Sequence, residues 1–223
     1  MKKIYLFILL SSIFSCSSDD DNIEQSLKLN SIVGHFALET QQDVNDFGKL
    51  NYTSIDGSLV IGNCCSLSNI TTLEPLNNIE GIFGFLIIQN NPQLTSLNGL
   101  EDLQYMCDSE PTSISIDNNE TLTDISAINN INYCEMMSLS LADNNKLTNI
   151  NAFSEVKNLS EIILQNNKNL IDLSPFNNLE KIGFLTLIGG SFSEISFNNL
   201  NTCDKLHITS CNNLTNVNSL SNL

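Results

Sequence analysis

Histidine, cysteine and carboxylate side chains carry the chemistry that is open to this chain of 223 residues. Nucleophilic catalysis needs a serine or cysteine that is activated by a positioned base. The two histidines, His35 and His207, lie far apart in the sequence, and no pattern aligns two carboxylates as the acid and base of a glycosidase. We therefore predict that the protein is not an enzyme and that it holds no cofactor and no metal.

The amino terminus has the features of an export signal. A positive segment at 2–3 precedes an apolar stretch at 4–14, which is too short to span a bilayer. The sequence then resembles the cleavage site of bacterial lipoproteins, with a small residue before Cys16, the cysteine that becomes lipidated; Phe14 departs from the usual small residue. We predict a signal peptide over 1–15 and a lipid anchor on Cys16. An ordinary secretory signal with a chance cysteine is the alternative.

A charged tether follows the predicted anchor. Residues 16–29 lack apolar periodicity and begin Cys-Ser-Ser-Asp-Asp-Asp, which indicates a flexible acidic linker. This start is similar to that of surface lipoproteins of the Bacteroidota. The resemblance implies a protein anchored in the outer membrane and exposed at the cell surface.

The charge balance limits the partners. The chain has 25 Asp and Glu residues against 9 Lys, with no Arg, and its formal net charge is −16. Such a chain repels phosphate backbones, so we exclude nucleic acid as a partner. Trp is also absent. Any protein interface must therefore rely on Tyr, Phe and aliphatic side chains.

One pattern repeats along the rest of the chain. Each unit starts with a short run of alternating aliphatic residues and continues into an Asn-rich turn. The runs start at Leu59, Leu86, Ile114, Leu139, Ile162, Leu185 and Leu206. The spacing between them, 21 to 28 residues, is typical of leucine-rich repeats. Each run is too short to bury a face alone, so successive units must stack with their strands in parallel, about 4.8 Å apart.

The turns explain the abundance of asparagine. Asn tolerates a left-handed backbone, and its amide bonds to neighbouring backbone groups. We therefore predict that stacked side chains satisfy the polar groups of the turns at Asn63, Asn90, Asn118, Asp143 and Asn166, and at Asn91, Asn119, Asn144 and Asn167, which follow four of these. The predicted domains are an N-terminal cap over 30–56, with a short helix at 41–47 capped by Thr40, and a solenoid over 57–223.

The repeat resembles a known family. Residues 57–223 are similar to the receptor L-domain-like and leucine-rich-repeat solenoids of Bacteroidota surface lipoproteins, and the stretch 36–59 is similar to the usual start of these solenoids. The resemblance implies a repeat solenoid in the form of a right-handed parallel β coil, with an N-terminal capping helix. It implies a binding role without naming the ligand, because such solenoids carry unrelated partners.

The strands offer a candidate binding face. If Leu59 and Ile61 point inward, the intervening residues point outward, and the outward side is unusually apolar for a solvated sheet. The candidate residues are Val60, Phe85, Ile87, Ile163, Phe184, Thr186, Ile188 and His207. The alternative is that another segment of each repeat covers them.

Three functions fit these features. The first is a cell-surface module for adhesion or recognition that binds a protein or a glycan, and the second is a structural or accessory component of a surface complex. A polysaccharide hydrolase or lyase is less favoured.

The last repeat has no segment after Leu223 to cover it. We therefore expect either further chain at this end or association with another molecule, because solenoids need caps.

Six cysteines besides Cys16 would meet an oxidising compartment. Cys107 and Cys134 hold equivalent places in adjacent units, where a spacing of about 4.8 Å falls within the range that a disulfide requires. We predict that these two form a disulfide. The pairing of Cys64, Cys65, Cys203 and Cys211 stays open, although Cys203 fits a buried place beside Ile182.

Overall fold

The computed structural model describes residues 30–106, 111–135, 137–221 and 223. The predicted signal peptide, the anchor at Cys16 and the tether lie outside the described residues. The described part is a β-rich solenoid built from stacked repeat units, each of which we call a coil. In chain order its elements are β1 (Ser31–Val33), β2 (Phe36–Leu38), α1 (Gln41–Gly48), β3 (Ser54–Asp56), β4 (Leu59–Ile61), β5 (Gly81–Ile82), β6 (Phe85–Gln89), β7 (Ser113–Asp117), β8 (Ser138–Ala142), β9 (Asn158–Gln165), β10 (Lys181–Ile188) and β11 (Thr202–Thr209).

A parallel sheet with the order β11-β10-β9-β8-β7-β6-β4-β2, which we call the main sheet, runs along the solenoid. All seven predicted strand starts pair in a single register, Leu59 with Leu86, then Ile114, Leu139, Ile162, Leu185 and Leu206. The inward residues from β4 to β10 are buried, and the residues between them are partly exposed. The repeat spacing therefore predicted the register correctly.

A second, smaller parallel sheet lies at the N-terminal end, with the order β1-β3-β5. Its strands are two or three residues long. Segment 30–56 thus supplies strands to both sheets, because β1 pairs with β3 and β2 pairs with β4. The stacking of coils begins within this segment, which also contains α1.

The helix α1 begins with the predicted cap. Thr40 accepts a hydrogen bond from the backbone N–H of Asp43, and the Asp43 side chain accepts one from the backbone of Thr40, which together form a capping box. Val44 and Phe47 are buried on the inner side of the helix. No helix in the described ranges is long and apolar enough to cross a membrane.

Contacts with the following coil fix the position of α1. The Gln41 side-chain oxygen accepts hydrogen bonds from the backbone N–H groups of Thr71 at 2.8 Å and Thr72 at 3.1 Å. At the other end of α1, a Cβ added to Gly48 would lie 2.1 Å from the carbonyl oxygen of Pro75. Only glycine allows the helix to approach the neighbouring 3-10 helix, Glu74–Leu76, so closely.

An aromatic column fills the C-terminal half of the core. The rings of Tyr133, Phe153, Phe176 and Phe197 follow one another with centroids 5.9, 5.8 and 5.5 Å apart. The three phenylalanines are fully buried. The Tyr133 hydroxyl donates to the carbonyl oxygen of Ala152 at 3.1 Å, and burial raises the pKa of this phenol. The column therefore joins successive coils by ring contacts as well as by strand pairing.

Buried asparagines form a ladder through the solenoid. We call Asn91, Asn119, Asn144 and Asn167, which are 0 to 3% exposed, the inner asparagine ladder. The backbone N–H groups of the first three donate to the side-chain oxygen of the asparagine in the next coil, at 3.2, 3.0 and 3.1 Å. Each side-chain amide also donates to a strand carbonyl of the preceding coil, as Asn119 does to Ile88 at 2.9 Å. This confirms the predicted role of the stacked asparagines.

The residue before each ladder asparagine has a left-handed backbone. The φ angles there are 58° at Asn90, 54° at Asn118, 57° at Asp143 and 55° at Asn166. The first coil differs, because its positive φ of 103° falls on Gly62 rather than on Asn63. A Cβ added to Gly62 would lie 1.8 Å from the carbonyl oxygen of Gln89, so the close approach of the next coil requires glycine there.

The ladder is modified at both ends. In the first coil, the Ser68 hydroxyl lies 2.5 Å from the side-chain oxygen of Asn91 and takes over the ladder position. Beyond Asn167 the equivalent residue is Gly190, which has no side-chain amide. In the last coil, Cys211 holds the place, and its thiol donates to the carbonyl oxygen of Leu187 at 3.6 Å. A thiol is a weaker donor than an amide.

Candidate recognition surface

The outer face of the main sheet presents its side chains in three rows, because parallel pairing in register aligns equivalent residues. The first row is Phe85, Ser113, Ser138, Glu161, Phe184 and Lys205; the middle row is Ala37, Val60, Ile87, Ser115, Ser140, Ile163, Thr186 and His207; the third row is Gln89, Asp117, Ala142, Gln165, Ile188 and Thr209. None of these residues is buried.

The residues of the predicted binding face all belong to these rows. Six of them form two groups on the sheet. The first apolar patch is Val60, Phe85 and Ile87, and the second apolar patch is Ile163, Phe184 and Ile188. The other two, Thr186 and His207, lie towards the C-terminal edge. Phe85 is 46% exposed and Phe184 is 44% exposed. No segment among the described residues buries either patch.

The two patches differ in their surroundings. Phe85 and Phe184 lie in the same row, four strands apart, which places them about 19 Å from each other. The ammonium group of Lys205 lies 4.7 Å from the centroid of the Phe184 ring. This is a cation–π contact, and it covers part of the second apolar patch with a charged group.

A strip of small polar side chains separates the two patches. On β7 and β8 the outward residues are Ser113, Ser115, Asp117, Ser138, Ser140 and Ala142. Ser115 donates to the Asp117 carboxylate, and Ser140 donates to the same carboxylate at 3.3 Å. These side chains are shorter than the outward side chains of β6 on one side and of β9 on the other. Hydroxyl groups suit polar ligands, since each both donates and accepts hydrogen bonds.

Burial raises the pKa of Asp117 above its ordinary value of 3.8, although the hydrogen bonds from Ser115 and Ser140 oppose the shift. The folded protein therefore binds this proton more tightly than the unfolded chain does. Above pH 3.8, the stabilising contribution of the protonated carboxyl is lost as the pH rises.

We expect Asp117→Asn to unfold at a higher urea concentration than the unsubstituted protein at pH 7. The neutral amide removes the cost of holding a carboxylate in this position, and it keeps an oxygen that accepts from the serines. The difference should shrink as the pH falls below 3.8, where Asp117 is protonated in both states. Urea midpoints measured across the pH range test this, and a difference that grows towards low pH would contradict it.

The two histidines lie at opposite edges of the main sheet. His35 directly precedes β2, where its Nδ1 accepts a hydrogen bond from the backbone N–H of Ser58 at 3.2 Å. His207 is exposed on β11, at the other edge. The fold thus does not bring the two residues together. Within the described ranges, no group of three or more His, Cys, Asp or Glu side chains is placed to hold a metal ion.

The cysteines of the described residues occur in two chemical states. Cys134 is disulfide-bonded. Its predicted partner, Cys107, lies outside the described residues, so their pairing stays a prediction. The four thiols of Cys64, Cys65, Cys203 and Cys211 are free. Cys203 pairs in register with Ile182, as expected, but it is only partly buried because β11 is an edge strand; burial raises the pKa of its thiol.

Comparison with protein families gives a match in the middle of the chain. Residues 51–152 match the Receptor L domain family, a family of ligand-binding domains without enzymatic activity. The match begins before β3 and ends within the 3-10 helix Asn151–Phe153, so it includes the first apolar patch and the polar strip. A search of curated proteins finds no match. Residues 51–152 are therefore receptor L-domain-like, as the sequence resemblance predicted.

Proposed function

We propose that this protein is a non-catalytic recognition module of the bacterial cell surface, which binds a protein or a glycan across the outer face of its main sheet. The observation that carries the proposal is the pair of solvent-exposed apolar patches around Phe85 and Phe184. Scattered exposed apolar residues are normal, whereas a contiguous exposed patch marks an interaction site. The match of residues 51–152 to a ligand-binding family supports the same conclusion.

The architecture suits an elongated ligand. The polar strip lies between the two patches, so a ligand that crosses the strands meets apolar groups at both ends and hydroxyl groups in the middle. Aromatic side chains contribute a large share of binding energy in such surfaces. We further propose that the solenoid is right-handed and that α1 covers the core at its first coil. The outer face of the main sheet would then be the surface that is open to a ligand.

We expect the double variant Phe85→Ser/Phe184→Ser to bind its ligand about tenfold more weakly, or worse. Binding is measured against a defined panel of immobilised polysaccharides and purified extracellular proteins. The matched control is Ile171→Ser, which also replaces an exposed apolar residue, 67% exposed, but lies outside the main sheet. Unchanged affinity in a folded double variant, or cleavage of the bound ligand, would contradict the proposal.

A second candidate is a structural or accessory role in a surface complex. The observation in its favour is the last coil, where Leu206, the inward residue of β11, is 43% exposed and Val217 is 48% exposed. We propose that another molecule covers these side chains, because exposed apolar surface marks an interaction site. Loss of binding in Leu206→Ser, with the double variant unaffected, would favour this second role.

We propose that a lipid on Cys16 anchors the protein in the outer membrane and that the acidic tether presents it at the surface. In cells labelled with a lipid probe, we expect incorporation that depends on Cys16. Cys16→Ala should leave the protein in the soluble fraction, because a folded domain of this kind then lacks its anchor. Equal membrane association of the two forms would contradict the assignment.

A further inference from the structure

Two adjacent thiols stand on the surface just after β4. Cys64 and Cys65 are both exposed, and both are free. Their Sγ atoms lie 2.9 Å apart. The backbone N–H of Cys65 donates to the side-chain oxygen of Asn63 at 2.8 Å, which holds the turn in this conformation. The two sulfur atoms are therefore already in contact, and solvent reaches both residues.

The fold makes no use of these thiols for packing. By register, Cys64 takes the place that Asn91 takes in the next coil. The structural role at that place belongs to another residue, because the Ser68 hydroxyl makes the contact with the Asn91 side chain. The contrast with Cys211 is clear, since its thiol bonds to the carbonyl oxygen of Leu187 and works as part of the ladder. A reaction at Cys64 or Cys65 would therefore leave the buried contacts of the coil intact.

We propose that Cys64 and Cys65 form a thiol–disulfide exchange site that reacts with small-molecule disulfides and closes into a Cys64–Cys65 disulfide. In the first step, the thiolate of Cys64 attacks one sulfur of the external disulfide, which releases one thiolate and leaves a mixed disulfide on Cys64. In the second step, Cys65 attacks the Cys64 sulfur and expels the other half of the reagent. Two protein thiols are oxidised, and the external disulfide is reduced to two thiols, which take up the two protons.

The order of attack follows from the contact between the two sulfurs. The hydrogen bond with Cys64 raises the pKa of the Cys65 thiol, so we assign Cys65 to the second step, in which the sulfur that it attacks is already held beside it. Once the mixed disulfide forms, the Cys64 sulfur carries a thiolate leaving group, the remaining half of the reagent. Cys65 can then attack the Cys64 sulfur and displace this group. An attack within the same turn is much faster than an attack by a second molecule, because the two groups are held together.

The consequence is that neither thiol of this turn stays linked to an external thiol compound. An isolated exposed cysteine in an oxidising compartment retains its mixed disulfides with other thiol compounds. In this turn, the neighbouring cysteine removes any such adduct and ends the reaction with an internal bond. The site thus takes disulfides as its substrate class, and it protects the exposed turn from intermolecular disulfides.

The test treats the full chain with 2,2′-dithiodipyridine and follows the mass of the peptide 40–80. Cleavage after Glu39 and Glu80 releases this peptide, because the bond between Glu74 and Pro75 resists cleavage, and Cys64 and Cys65 are its only cysteines. We expect the peptide to lose two hydrogens and to carry no pyridylthio group. In Cys65→Ser we expect one pyridylthio group on Cys64, stable until a reductant is added. Cys211→Ser is the control and should behave as the unsubstituted chain does.

Three results would overturn the proposal. They are a peptide with a pyridylthio group on each cysteine, a peptide that keeps one pyridylthio group beside a free thiol, and a peptide that does not react. Thermal unfolding of the oxidised chain should match that of the reduced chain, since both cysteines are exposed. A lower melting temperature after oxidation would contradict the claim that the coil is unaffected.

Discussion

Replacing Asn119 with alanine is expected to lower the free energy of unfolding by about 3 kcal/mol. The Asn119 side chain is fully buried, and it bonds to groups of the preceding coil, of its own coil and, through Asn144, of the next coil. Its oxygen accepts from the backbone N–H of Asn91 at 3.2 Å, and its amide donates to the carbonyl oxygen of Ile88 at 2.9 Å. Alanine leaves both of these buried backbone groups without this partner, and the desolvation of such groups is the main cost.

Denaturant unfolding of the purified domain measures the effect. The matched control is Asn129→Ala, because Asn129 is an exposed asparagine on the same solenoid, and a surface substitution of this kind changes stability by about 0.5 kcal/mol or less. A loss in Asn119→Ala as small as the loss in the control would mean that water replaces the side chain. The inner asparagine ladder would then have no special role in stability.

Phe176→Ala is expected to lower the free energy of unfolding by about 4 kcal/mol, since it removes a large side chain from a fully packed site. The ring is fully buried, with the Phe153 ring stacked at 5.8 Å and the Phe197 ring at 5.5 Å. The variant loses both ring contacts together with the apolar burial. It also leaves a cavity between neighbouring coils, which stacked units cannot close without shifting.

The comparison for this variant is Phe85→Ala, in which the ring removed is 46% exposed. We expect Phe85→Ala to lower the free energy of unfolding clearly less than Phe176→Ala does, because nearly half of the Phe85 residue surface is already in water and its removal leaves no closed cavity. Similar losses of unfolding free energy in the two variants would show that the first apolar patch is covered by other protein groups in solution. That result would also weaken the assignment of Phe85 to an open binding surface.

The sequence predicted the main sheet well, because the repeat imposes the register. Once Leu59 and Leu86 are recognised as equivalent, the pairing of every later strand follows from counting. The turns were predictable for the same reason, since an asparagine at each equivalent position has one dominant physical role. Thr40 was predicted as a cap because it directly precedes the helical segment at 41–47, and the reciprocal contact with Asp43 became evident only in the structure.

The second sheet and the aromatic column did not follow from the sequence. The strands β1, β3 and β5 are too short to show an alternating pattern, and Gly81 gives no apolar signal at all. The rings of Phe153, Phe176 and Phe197 come from segments whose lengths differ, so their alignment depends on how each coil returns to the sheet. A count of phenylalanines at equivalent positions after each Asn-rich turn could have suggested the column.

The candidate surface was only partly predictable. Alternation placed Phe85 and Phe184 on the outer side, but exposure depends on what the rest of each coil covers, which sequence alone does not determine. The contact of Lys205 with Phe184 requires neighbouring strands in register and a side-chain conformation. The proximity of the Cys64 and Cys65 sulfurs likewise depends on the turn that Asn63 holds.

Gly190 gives the solenoid a boundary. Up to Asn167, each asparagine ties its coil to the next through buried amides, so this part should open and close as one cooperative unit. After Gly190, the coils of the described residues share strand pairing, but the side-chain amides that link them, such as that of Asn213 to the carbonyl oxygen of Ser191, are exposed rather than buried. The thiol of Cys211 is a weak substitute for a buried amide. The chain beyond residue 190 should therefore exchange its amide hydrogens earlier than the preceding coils, as a segment that frays while the rest of the stack stays folded.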